Sequence, residues 1–94
     1  MDMGKNQGKG AVMVREIGTV VNYYGKISVA VVDLRETLKV YDHVAFRGAT
    51  TDFEQTINSM QLDHQDIEIV GVGKEVAIKV KERVRAGDKL YRLE

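Results

Sequence analysis

The sequence contains no cysteine, no proline and no tryptophan among its 94 residues, and only two phenylalanines. Without cysteine there is no disulfide framework, no thiol nucleophile and no thiolate zinc site. No stretch approaches the ~20 apolar residues that span a bilayer, so no membrane segment is expected. Residues 1–12 hold glycines and lysines instead of an apolar run, so no signal peptide is expected and a cytoplasmic location is the default. An excess of charge is also missing: 14 Lys+Arg face 14 Asp+Glu. A generic nucleic-acid coat protein needs a large positive surplus.

What is present is a core. The hydrophobic share is 44%, and the length suits a single domain. Residues 1–12 read as a flexible tail, and residues 13–94 as one folded unit. Ile17 to Tyr24 is rich in β-branched residues and ends in turn chemistry at Tyr24-Gly25-Lys26. Ile27 to Leu34 follows, apolar on both faces, as a central or covered strand is. His43 to Arg47 places Val44 and Phe46 on one face. Thr51 to Leu62 changes phase between Phe53/Ile57 and Met60/Leu62, which a β-bulge near Asn58-Ser59 would reconcile. Asp63 to Gly73 holds a short strand or turn. Val76, Ile78 and Val80 alternate with polar neighbours, and Lys89 to Leu93 closes the chain. No window carries a helical stripe. About six short strands with regular turns predict a small barrel, which leaves no open edge.

The sequence also carries an internal echo. Gly25-Lys26 and Val29-Ala30-Val31 resemble Gly73-Lys74 and Val76-Ala77-Ile78, and Leu38-Lys39-Val40-Tyr41-Asp42 resembles Val84-Arg85-Ala86-Gly87-Asp88. Two similar hairpin units facing each other could make one barrel, and coincidence of strand composition explains the echo almost as well.

Chemistry is sparse. His43 and His64 lack metal-ligand spacing, so no metal is expected. No Gly-x-Ser-x-Gly elbow surrounds Ser28 or Ser59. No Gly-Lys-Ser/Thr occurs, so no GTP binding is expected. No catalytic residue and no cofactor is predicted. Two features suit binding. Tyr23 and Tyr24 stand at a turn beside Lys26, where exposed aromatics next to a cation stack on bases or on a peptide. Lys74 to Arg92 holds seven bases against three acids, with Lys79, Lys81, Arg83 and Arg85 at its centre. This is either a solvated surface or a patch for phosphate or an acidic partner.

The order of these motifs resembles domain 2 of the elongation factor Tu group of translational GTPases. Leu38-Lys39-Val40-Tyr41-Asp42-His43-Val44 is similar to that family's Leu-Lys-Val-Gly-Asp-x-Val. Gly73-Lys74-Glu75-Val76-Ala77-Ile78 and Val84-Arg85-Ala86-Gly87-Asp88 follow in the same order. The resemblance implies a six-stranded antiparallel Greek-key-type β-barrel, a non-catalytic module that contacts tRNA, the ribosome or another translation component. Tyr41 departs from the pattern, because it stands where the family has a turn glycine. The alternative is a protein–protein or accessory barrel with no RNA role, a use the same barrel has in collagenase-like peptidases. The partner is then another protein. Nothing in the sequence sets the oligomeric state.

Overall fold

A computed structural model describes residues 14–93. The tail expected over residues 1–12 lies outside them. The described residues are all β, without a helix. Ten strands form: β1 (Val14–Tyr24), β2 (Val29–Leu34), β3 (Leu38–Lys39), β4 (His43–Arg47), β5 (Asp52–Thr56), β6 (Met60–Leu62), β7 (Gln65–Ile67), β8 (Ile69–Val70), β9 (Glu75–Lys79) and β10 (Lys89–Leu93). Eight of them make one antiparallel sheet in the order β5-β4-β10-β1-β2-β9-β6-β7, and β3 pairs with β8 apart from it.

One core serves the whole molecule. Ile17, Val20, Ala30, Val32, Leu34, Val44, Phe46, Phe53, Met60, Val76, Ile78 and Leu90 belong to a single buried cluster. Residues from both ends of the sheet meet there, so the sheet curls. Phe46 and Phe53 stack with ring centroids 5.1 Å apart. The backbone ladder nevertheless does not close, because β5 and β7 remain its edges. The eight-stranded ladder is therefore open, and the closed six-stranded barrel expected from sequence is not shown by the backbone pairing. A side chain bridges the gap instead. The Gln55 carboxamide on β5 donates to Lys79 O at 2.9 Å and accepts from Lys81 N at 2.9 Å.

The long strand β1 does the work of two. Its first half pairs with β10 and its second half with β2, and bulges lie between Glu16 and Gly18 and between Val20 and Asn22. Such bulges bend a strand and let it turn a corner. Thr51 to Leu62 also changes phase, as its apolar pattern predicts. The chain there breaks at 57–59 instead of bulging, so β5 pairs with β4 and β6 with β7 and β9. Ser28 and Ser59 lie outside the strands.

The sequence echo is a structural repeat. Lys39–Asp42 and Arg85–Asp88 are the same turn. In each, the Asp N–H donates to the carbonyl three residues back, and its Oδ2 accepts that residue's N–H at 2.9 and 2.8 Å. Tyr41 has φ +81° and Gly87 has φ +95° at the equivalent place. Each turn is clamped by a reciprocal backbone pair, Tyr41/Asp42 with Ile57 and Gly87/Asp88 with Val20. The registers obey the same dyad. Phe46 pairs with Leu90 as Arg92 pairs with Val44, and Val29 pairs with Lys79 as Val76 pairs with Val32. Thus β2 corresponds to β9, β4 to β10, and β1 to β5 and β6 together.

Candidate functional site

Of the side chains singled out from sequence, several meet at one end of the sheet. The β1–β2 connection, residues 25–28, lies beside the end of β9: Lys79 Nζ donates to Ile27 O at 2.8 Å and Val80 N donates to Ser28 O at 2.9 Å. Tyr24 is 49% exposed, and its hydroxyl accepts from Asn22 Nδ2 at 3.1 Å. Tyr23 instead packs against the core, so the two tyrosines do not form one stacking platform. Lys79 is occupied with the turn. Lys26, Lys81 and Arg83 are exposed, and among the described residues no ion pair engages them or Arg85. Arg85 contributes its backbone N–H to Asp88, a role of turn architecture.

Catalytic groups do not converge. No three His, Asp or Glu side chains gather as a metal site requires among the described residues. His43 spans β4 and β5, with Nε2 3.3 Å from Glu54 Oε1 and Nδ1 3.3 Å from Thr56 Oγ1. No helix among the described residues is long and apolar enough to cross a membrane.

A second feature was not singled out from sequence. On the outer face of β2, β9 and β6 lies a groove of about 330 Å³. Its apolar lining is Tyr24, Ile27, Val29, Val31 and Ala77, with Ile27 57% exposed. Period two forces this arrangement: Ala30 and Val32 of β2 enter the core, so Val29 and Val31 face outward. The signal was legible in the double-sided apolarity of β2, which the sequence reading assigned to a central or covered strand. β2 is central, between β1 and β9, but its outer face has no cover among the described residues.

The rim of the groove is acidic. Asp33 and Glu75 are directly opposed across β2 and β9, both exposed, and Asp63 and Glu75 line the groove. Several other acids have cation partners: Glu16 with Arg35 and Lys89, Glu36 with Arg15 and Arg92, Asp52 and Glu54 with Arg47, whereas Asp66, Glu68 and Glu82 have none among the described residues. Asp33, Asp63 and Glu75 have no cation partner among the described residues. Asp63 and His64, at the rim, form the tight β6–β7 turn with φ +52° and +67°.

With this geometry in view, the comparisons with known proteins separate the two readings of the sequence. A Methanocaldococcus jannaschii protein named as an uncharacterized protease is 44% identical over 79 residues, or 83% of this chain. The likeness is to peptidases. A collagenase of Porphyromonas gingivalis is 30% identical over 80 residues, again 83% of this chain. The chain spans 19% and 22% of the length of these two relatives. The C-terminal domain of a Geobacillus thermoleovorans protein described as a U32 peptidase has the same fold. It superposes with a TM-score of 0.78 at 21% identity, over 83% of this chain and 91% of that one. Its selenomethionine variant gives 0.77 over 96% of its own chain. No family model matches.

These findings correct the resemblance to elongation factor Tu domain 2, and with it tRNA, the ribosome and translation components as partners. The shared motifs were turn signals. Leu38–Asp42 and Val84–Asp88 are two copies of one hydrogen-bonded turn within this fold, so they report a way of turning a chain and not a ligand.

Proposed function

We propose that the chain is a non-catalytic accessory domain that works with a peptidase of the U32 type, supplying a docking surface and no catalytic group. The observation that carries this is the 44% identity to a protease of which the matched segment is only 19%. A segment of that size, alike in fold to a C-terminal domain solved by itself, behaves as a module attached to a catalytic body. Counting β5 and β6 as one interrupted strand gives the module six strands in all besides the short β3, β7 and β8. We read it as a barrel whose seam is closed by Gln55.

The test is hydrolysis of labelled denatured collagen and casein. The 94-residue chain is expected to show no turnover. The M. jannaschii protease is expected to lose activity or stability when its matching segment is removed, and to regain it when this chain is grafted in that place. Turnover by the chain by itself would sink the accessory reading.

A further inference from the structure

We infer that the outer face of β2, β9 and β6 is the face that docks on the peptidase body, and that it receives a segment presenting apolar side chains beside a Lys or Arg. This deepens the accessory reading and rests on it.

Three observations point to one occupant. The first is the apolar floor: Tyr24, Ile27, Val29, Val31 and Ala77 line one concave patch. Contiguous exposed apolar area rimmed by polar groups marks a protein interface, because leaving it in water costs about 25 cal/mol per Å². The second is the uncompensated pair Asp33–Glu75, with Asp63 nearby. Like charges placed directly opposite on neighbouring strands destabilise a sheet. Here they are retained with no cation of their own among the described residues. A basic residue from outside would relieve them. The third is the length relation: in the M. jannaschii relative about four-fifths of the chain lies outside the matched segment. In that relative the remainder is tethered to the matched segment at high effective concentration, so a modest patch would suffice for docking there.

The cationic loop 81–85 is a weaker candidate for this contact. Its side chains are exposed, and the pocket that Lys81 borders has Val80 as its one apolar lining residue, where the groove on β2, β9 and β6 has five. A cation there also has no opposed like charge that binding would relieve.

The experiment is hydroxyl-radical labelling of the 94-residue chain, free and grafted in place of the matching segment of the M. jannaschii protease. Tyr41, 80% exposed and outside the groove, serves as the internal reference. Labelling of Tyr24 and Ile27 is expected to fall at least fivefold in the chimera. Glu75→Lys and Asp33→Lys are expected to restore it to within twofold of the free chain. The same Glu75→Lys change in the free chain should raise Tm by about 2–4 °C, since it replaces a repulsive pair with an attractive one. A structural role for Glu75 would give the opposite sign. Equal labelling of free and grafted chains in an active chimera overturns the docking face and leaves the accessory reading standing. A chimera with no activity overturns both.

Discussion

Tyr41 is a side chain in the wrong conformation for its type, and its twin shows the remedy. Both turns need φ > 0 at their third residue. Gly87 supplies it without cost, while Tyr41 holds φ +81° with 80% of its surface in water. A bulky residue there is strained by about 1–2 kcal/mol. Tyr41→Gly is therefore expected to stabilise the domain by about 1 kcal/mol, read as the shift of a urea midpoint at constant slope. The reverse change, Gly87→Ala, should destabilise by a similar amount. Gly48 makes the complementary point about space. A Cβ built on Gly48 would lie 1.9 Å from Asp88 Oδ1, inside the carboxylate. Asp88 is 5% exposed and its other oxygen accepts the Arg85 N–H. Gly48→Ala must push that carboxylate off its donor, and a loss of about 1–3 kcal/mol is expected, checked by thermal unfolding. The need for glycine at 87 was legible in the Ala-Gly-Asp turn. The need at 48 was not, because it depends on a residue forty positions away.

At the scale of elements, the strands were legible and their partners were not. Alternation in Val76–Val80 gave the burial correctly, while the two-sided apolarity of β2 gave its central place in the sheet but not its uncovered outer face. The phase change in 51–62 gave a discontinuity, but periodicity cannot distinguish a bulge within one strand from a break between two. Pairing decides that, and pairing is long-range. The same limit hid the seam. Gln55 reads as an ordinary polar position on a strand, yet its carboxamide supplies the two hydrogen bonds that a backbone ladder would have made to Lys79 and Lys81. Gln55→Ala removes both partners at once. A cost of about 1–3 kcal/mol is expected, with faster amide exchange at Lys81 than at Ile78 of β9. Unchanged exchange at Lys81 would show that the seam is held by packing of Phe53 and Ile57 instead.

For the molecule as a whole, the all-β class came from composition and pattern, and the partner did not. Turn motifs carried the resemblance to translation factors, and two of them are copies of one hydrogen-bonded turn. The groove was missed for a related reason. Sequence shows that both faces of β2 are apolar, but only the sheet order shows that one face is core and the other lacks a cover among the described residues. Attention went to bases and aromatics, whereas the face with the clearer physical imbalance combines aliphatic side chains with two opposed acids. Its assignment is decided by the labelling and the opposite stability signs expected for Glu75→Lys.

The dyad that relates β1, β2 and β4 to β5/β6, β9 and β10 has a genealogical meaning. Every ladder between corresponding strands runs from one half of the sequence to the other, as β2 to β9 and β4 to β10 do. This is the arrangement that a symmetric dimer would have if its two subunits were joined into one polypeptide. Fragments 1–49 and 50–94, cut in the β4–β5 turn and produced together, should then find each other and rebuild the fold as a one-to-one complex. Each by itself would lack the partner strands that complete its sheet. Halves that stay apart when mixed would mean that the symmetry is a convergence of turns, with no ancestral dimer behind it.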